Sequence, residues 1–140
     1  MENNIICSGA LFYSTSTKRF LFLQRTSDKT KGMWGLVGGR TKYTESAFEG
    51  LKREIEEEVG SLPKFKKVIP LEMFTSNDQK FFFHTYLIAI DAEFIPKLNV
   101  EHSGYCWCAF ECWPKNLHMG LRNTLNNKSI KGKLQTILDL

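Results

Sequence analysis

A domain of mixed α and β structure is what this sequence predicts, and three observations predict it. An amphipathic helical segment lies between Ser46 and Gly60, extended runs rich in aromatic and β-branched residues flank it, and helical spacing of apolar residues returns near the C-terminus. With 140 residues, 42% of them hydrophobic, the chain suffices for one packed core and is too short for two ordinary domains, so the expected unit is a single domain over 1–140.

Taken in order, strands are expected at Ile5 to Tyr13 and Arg19 to Arg25, joined as a hairpin by the polar turn STSTK. A glycine-rich loop containing Gly38 and Gly39 then leads to the helix. Its apolar positions Phe48, Leu51, Ile55 and Val59 recur at three or four residues and define one buried stripe. Ser46 followed by Glu49 fits a capping box at its start, and Gly60 fits the left-handed residue that closes a helix. Further strands are expected at Lys67 to Thr75 and Lys80 to Ile90, linked by the turn-like SNDQ, and around Tyr105 to Phe110. Helices follow Pro114 and span Ser129 to Leu138, where Ile130, Leu134, Ile137 and Leu138 keep helical spacing.

Composition narrows the class. No apolar run is long enough to span a bilayer, no basic-apolar-small signal pattern opens the chain, and no segment is repeated, which leads to the expectation of a soluble, cytoplasmic protein without a membrane partner. Cys106, Cys108 and Cys112 lie too close together, and Cys7 too far away, for a disulfide framework, and a reducing compartment suits them. A zinc site on C-x-C-x3-C with His102 or His118 is the sharper alternative, but Cys106 and Cys108 fall on one face of the expected strand as small buried hydrophobes. The formal charge is +4 although the helix is acidic, so the remainder is distinctly basic and its partner is expected to be anionic. Arg25, Lys29, Lys31, Arg40 and Lys42 flank the helix and are placed to meet phosphates, with Arg25 and Arg40 the chosen substrate-binding candidates.

The segment GRTKYTESAFEGLKREIEEEVG, Gly39 to Gly60, holds six of the fifteen acidic residues. Glu54, Glu57 and Glu58 stand at i, i+3 and i+4, on neighbouring positions of one face. Like charges at that spacing destabilise an isolated helix by roughly 0.2–0.5 kcal/mol per pair, and the helix dipole disfavours Glu57 and Glu58 near the C-terminus. A structural helix has little reason to accept this arrangement. A hard divalent cation removes the repulsion, because magnesium takes oxygen ligands and shares one or two carboxylates with substrate phosphates.

Written as spacing the segment is G-x5-E-x7-R-E-I-x-E-E-x-G, with Gly39, Glu45, Arg53, Glu54, Ile55, Glu57, Glu58 and Gly60 at the fixed places. That is the Nudix box, extending here to Ser61, and the chain resembles the Nudix hydrolase family. The preceding MWGLVGGR is also similar to the family's lead-in. The resemblance implies the Nudix fold, a mixed β-sheet sandwiched between α-helices. It implies Mg2+ or Mn2+ as cofactor, with Glu54, Glu57 and Glu58 as ligands and the Gly39 carbonyl completing the coordination. By the same resemblance Arg53 makes an ion pair that orients a glutamate, and Glu45 braces the loop or reaches the metal through water. Glu101 in EHSGYCW fits a further glutamate, outside the box, that serves as ligand or general base. His102 beside it could supply a proton or contact phosphate, but the expectation is an uninvolved, exposed loop histidine. Two positions depart from the family: Val37 stands for the usual proline, and Ser61 for an apolar residue whose contact Leu62 would supply one residue late.

The resemblance implies hydrolysis of a diphosphate linkage in a nucleoside diphosphate derivative, a nucleoside triphosphate or nucleotide sugar foremost, by water attack at phosphorus. Glu57, Glu58 and Glu101 all remain open as general base, with Glu58 the expected indispensable ligand. Close carboxylates oppose one another's ionisation, so metal binding is expected to be proton-linked and favoured toward higher pH. Substrate choice is not written in the box. The run Phe81, Phe82, Phe83, His84 and Tyr86 has ring positions on both faces of a strand, with core packing expected for most and a base contact for one or two, and Trp34 is expected in loop packing. Rival readings are a non-catalytic nucleotide-sensing module, an isopentenyl diphosphate isomerase lacking its further cysteine and glutamate positions, and an RNA 5′-end or cap hydrolase. Nucleic acid is thus a secondary partner, and a homodimer rests on the family resemblance alone.

Overall fold

A computed structural model describes residues 4–139, so the outermost positions of the expected 1–140 unit, residues 1–3 and 140, lie outside it. The elements run β1 (Ile5–Ser14), β2 (Arg19–Arg25), β3 (Trp34–Gly35), β4 (Val37–Arg40), α1 (Ala47–Val59), β5 (Lys67–Thr75), β6 (Phe81–Ile90), β7 (His102–Ala109), α2 (Met119–Asn126) and α3 (Lys128–Leu138). The strands form one mixed sheet in the order β3-β2-β1-β6-β5, with β4 also on β1 and β7 also on β2. β1 and β6 run parallel over ten residue pairs, Ile5↔Phe81 to Ser14↔Ile90, while the other pairings are antiparallel.

Period-two alternation divides the apolar side chains between the two faces of this sheet. Leu11, Tyr13, Phe20, Phe22, Leu87 and Ala89 pack with Leu121 and Leu125 of α2 and with Ile130 and Leu134 of α3. Their neighbours Ala10, Phe12, Leu21, Leu23, Ile88 and Ile90 pack on the other face with Leu51, Ile55 and Val59 of α1. The protein is therefore an α+β structure, a mixed sheet sandwiched between α1 on one side and α2 with α3 on the other.

The expected hairpin is closed only at its turn. β1 and β2 pair at Tyr13↔Phe20 and Ser14↔Arg19 and then part. The edge of β1 so released, Cys7 to Ala10, is taken by β4, and β2 turns to β3 and β7. The fork lines a cavity with Ser8 and Gly9 of β1, Gly35 of β3 and Gly38 and Gly39 of β4. It also corrects the expected glycine-rich loop, because Gly38 and Gly39 belong to strand β4 and pair with Gly9 and Ser8. β7 begins three residues before the expected strand and includes His102, which is 9% exposed rather than an open loop residue. Leu62 is 41% exposed and does not supply the late apolar contact, since the chain leaves α1 pointing it outward; Phe65 packs against the core instead.

Candidate functional site

α1 is fixed at both ends by the residues expected to do so. The Ser46 hydroxyl accepts from the Glu49 backbone N–H at 3.1 Å while the Glu49 carboxylate accepts from that of Ser46 at 2.9 Å. Gly60 stands at φ 88° and donates its N–H to the Glu56 carbonyl at 3.1 Å. With Leu51, Ile55 and Val59 locked in the core, the rotation of the helix is set, and Glu54 and Glu58 face β4.

Glu58 is 4% exposed, and one of its oxygens accepts from the Gly38 N–H at 2.9 Å. A Cβ at Gly38 would overlap the Ser8 carbonyl, so only glycine brings this N–H so close to β1. Burial pushes the Glu58 carboxyl up to about 8; the Gly38 hydrogen bond opposes the shift and the charges of Glu54 and Glu101 reinforce it. Glu101 thus shares the field of Glu58 although it arrives from the turn before β7. That turn is pinned to α1 by Asn99, whose amide donates to the Glu57 carbonyl at 2.9 Å and whose oxygen accepts from the Glu101 N–H at 2.9 Å.

Arg53 organises the outer side of the cluster. Its guanidinium grips Glu45 through two hydrogen bonds of 2.7 and 3.1 Å, reaches Glu54 at 2.9 Å and Glu57 at 3.3 Å, and donates to the Arg40 carbonyl at 3.1 Å. Hydrogen bonds from Arg53 and from the Lys42 N–H hold the Glu45 carboxyl down to about 2, and Glu45 in turn raises the Arg53 pKa. Glu45 therefore braces the loop at residues 41–46. The three helix carboxylates are not equivalent. Glu58 is buried, Glu54 lies between Arg53 and Gly39, and Glu57 is 51% exposed with its carboxylate on Arg53.

Whether these residues fit a hard divalent cation is answered at Gly39. A Cβ there would lie 2.7–2.9 Å from the Glu54 carboxyl atoms, so the missing side chain leaves a cradle against a carboxylate. The available donors are all oxygens. Among the described residues no three His, Cys, Asp or Glu side chains close a cage by themselves. The arrangement suits Mg2+ or Mn2+, which take one or two carboxylates and fill the remaining positions with water and substrate phosphate.

Gly38 and Gly39 also line a cavity of about 540 Å³ that extends between β1, β5, β6 and α2. Arg25 lines it, next to His118; burial and then the Arg25 charge hold the His118 pKa below its ordinary value, and the same two causes lower that of His102. Arg40 is exposed and borders a separate groove with Glu45, Arg53 and Glu54. Phe81 and Phe83 reach the cavity, whereas Tyr86, on the opposite face, packs against Phe48. Trp34 packs into the core from the short strand β3. The Cys106 and Cys108 sulfurs are 3.6 Å apart beside the α2–α3 core, with burial and the Cys108 contact pushing the Cys106 thiol up to about 12, an environment for a neutral thiol rather than a zinc ligand.

Sequence reasoning missed Asn99, the Gly38 N–H donor, and the cavity residues Glu72, Asn123 and Thr124. Asn99 carries the short polar signature of a turn residue, but its reach to α1 spans forty-two positions.

Comparisons with known proteins bear on the family and the fold. The family model described as NUDIX domain matches residues 6–127. A stretch of 69 residues, 48% of this chain, is 33% identical to Nudix hydrolase 7 of Arabidopsis thaliana and spans 24% of that protein's length. The crystal structure of a MutT NUDIX hydrolase from Burkholderia pseudomallei superposes with a TM-score of 0.73 at 24% identity, over 91% of this chain and 99% of that one, a likeness of fold. That of a MutT protein from Methanosarcina mazei Go1 gives 0.70 at 25% identity, over 97% and 96% of the two chains. The chain belongs to the Nudix hydrolase family.

Proposed function

We propose that this Nudix chain is a single-domain, divalent-metal-dependent pyrophosphohydrolase that cleaves a diphosphate linkage in a nucleoside diphosphate derivative, a nucleoside triphosphate or a nucleotide sugar. The observation that carries the reading is the convergence of Glu54 and Glu58 on the Gly38–Gly39 strand, a corner between α1 and β4 whose glycines also line a cavity of about 540 Å³. That volume suits a small organic ligand, and the corner suits its phosphates.

Glu54 and Glu58, with the Gly39 carbonyl and Glu57 or Glu101, would hold Mg2+ or Mn2+. When bound, such a cation supplies Lewis-acid polarisation of the diphosphate and a lowered pKa for water. This chain's own residues do the positioning. Arg53 fixes Glu54 against the Gly39 cradle, and Gly38 fixes the carboxyl of Glu58. Arg25, lining the cavity, offers a planar charged donor to a phosphate, and Arg40 adds positive potential from the adjoining groove. Glu101, exposed on its turn pinned to α1 by Asn99, would take the proton of an attacking water, with Glu57 and Glu58 the other carboxylates open to that role. A nucleotide is the partner this reading requires. The absence of any helix among the described residues long and apolar enough to cross a membrane, together with four free thiols, supports a cytoplasmic setting as part of the same proposal.

The test is release of phosphate or nucleotide from a panel of nucleoside triphosphates, nucleotide sugars, dinucleoside polyphosphates and capped RNA, with Mg2+ or Mn2+, comparing the native chain with Glu58→Gln. Metal-dependent cleavage lost in the variant is expected. Binding without cleavage across the panel would replace the reading with a nucleotide-sensing module.

A further inference from the structure

The wall of the cavity opposite the glycines carries a charge that the hydrolase reading does not use. β5 pairs with β6 through Pro70↔Tyr86 and then Glu72↔Thr85, leaving Leu71 as an extra residue in a β-bulge. Leu71 is fully buried in the core, and its carbonyl is satisfied by the Lys133 ammonium at 3.0 Å. Because the bulge puts two consecutive residues on one face, Glu72 is re-aimed inward beside Phe74, whose partner Phe83 lines the same cavity as Thr85. A carboxylate thus stands beside Phe74, Phe81 and Phe83 on the lining of a cavity that also carries Thr85, Asn123 and Thr124.

Its partners on the protein are few. The Thr124 hydroxyl donates to one oxygen of Glu72 at 2.7 Å, and the same single proton is also within reach of the Gly120 carbonyl at 3.1 Å. No lysine or arginine closes an ion pair with Glu72 among the described residues. Among the described residues no group donates to the second oxygen of this cavity-lining carboxylate, and a carboxylate accepts at two oxygens but donates nothing. Its complement is a flat group presenting two adjacent N–H donors.

We propose that Glu72 reads the base of the substrate and selects guanine, whose ring N–H and exocyclic amine lie side by side, with Phe74, Phe81 and Phe83 packing against the ring. This rests on the reading of the chain as a nucleotide hydrolase. Adenine and cytosine would turn a ring-nitrogen lone pair toward the carboxylate, and uracil and thymine offer one N–H between two carbonyls. A half-buried carboxylate in a cavity, set to accept from a donor, discriminates against an analogue lacking that donor because its oxygen would be left unpaired on binding. Thr124 acts as a positioning residue that holds the carboxylate in plane. The competing account is that Glu72 merely ties β5 to α2 and guards an edge strand with an inward charge.

Equilibrium binding of GMP, IMP and AMP, without metal, separates the two. GMP is expected to bind about tenfold to a hundredfold more tightly than AMP, with IMP, which lacks the exocyclic amine, between them. Glu72→Gln should collapse the GMP-to-AMP ratio toward one, while Thr124→Val, which cuts the tie to α2 and leaves the carboxylate, should keep guanine ahead. Equal binding of the three nucleotides by the native chain, or a preference unchanged in Glu72→Gln, overturns the proposal; should Glu72→Gln fail to fold, the GMP, IMP, AMP order of the native chain decides alone. Turnover of GTP and ATP with Mg2+ is measured separately. Cleavage without base preference removes this inference and leaves the hydrolase, whereas guanine-selective binding without cleavage does the reverse.

Discussion

The corner between α1 and β4 and the wall formed by β5, β6 and α2 meet at Gly38 and Gly39, yet they are built in opposite ways. The corner comes from a contiguous stretch, residues 38–58, in which the carboxylates of the site are each tied to a donor: Glu58 to the Gly38 N–H, and Glu45, Glu54 and Glu57 to Arg53. The wall joins the β5–β6 pair to the distant helix α2, and the tie from carboxylate to helix, Glu72 to Thr124, spans 52 positions. Rigid, local and redundant suits chemistry that must be held to fractions of an ångström. Distributed and apolar suits selectivity, which can change by single replacements without disturbing the corner. If this division is right, damage to the corner should abolish turnover, and damage to the wall should alter which nucleotide is turned over.

The largest effect is expected for Glu58→Gln, with kcat/KM falling about a thousandfold, or ~4 kcal/mol, and little change in nucleotide affinity. Gly39→Ala should follow at about a hundredfold, because the new Cβ displaces the Glu54 carboxylate without touching the core. The measurement that separates these from misfolding is the apparent metal affinity: Gly39→Ala must raise the Mg2+ concentration at half-maximal rate while its urea midpoint stays near native. A loss of rate at unchanged metal requirement would break the assignment of the cradle. Gly38→Ala is the contrasting case, since its Cβ meets backbone, and there we expect destabilisation of about 2–4 kcal/mol in urea titrations.

Arg53→Lys sharpens the comparison within the corner. A lysine restores the charge but not the fork that grips Glu45 while reaching Glu54, so activity should fall about tenfold to a hundredfold with the fold retained. An active Arg53→Lys variant would mean that charge alone, not geometry, holds the cluster.

Stability against pH tests the corner without turnover. Glu58 binds its proton more tightly folded, at about 8, than its ordinary 4.5, so between those values the folded state holds a proton that the unfolded chain has lost. The stabilisation is fully present below about 4.5 and is lost as pH rises toward 8, a fall on the order of a few kcal/mol in the metal-free protein. Mg2+ should flatten it, because the cation favours the ionised carboxylate. Glu58→Gln should flatten it too. Metal-free melts that are level from pH 5 to 8 would sink the idea.

These contrasts also explain what the sequence disclosed. The corner was legible because its spacing, its caps and its glycines are all short-range properties of one segment, and Ser46, Glu49 and Gly60 stand where a capping box and a left-handed close put them. The layered α+β fold was legible from the family resemblance and from alternation in β1, β2 and β6. The wall was not, since a bulge at Leu71 changes which side Glu72 faces and no property of residues 67–75 read alone fixes that register. Gly38 and Gly39 read as loop because glycine is a poor strand former; pairing with β1, a tertiary contact, overrides that propensity.

The smallest expected effect separates two arginines that the sequence treated alike. Arg25 lines the cavity beside His118, at the end of β2, while Arg40 is exposed on a different groove and offers its carbonyl, not its side chain, to Arg53. A direct hydrogen-bonding role predicts that Arg25→Ala raises KM about tenfold and that salt changes this little, because a contact made inside a cavity is poorly screened. A field effect alone predicts that Arg40→Ala raises KM only about twofold to threefold in low salt and that the difference fades above physiological ionic strength, where the Debye length is about 8 Å or less. Equal, salt-sensitive effects at both positions would mean that phosphates meet a general positive surface, and the cavity would then lose its claim to orient them.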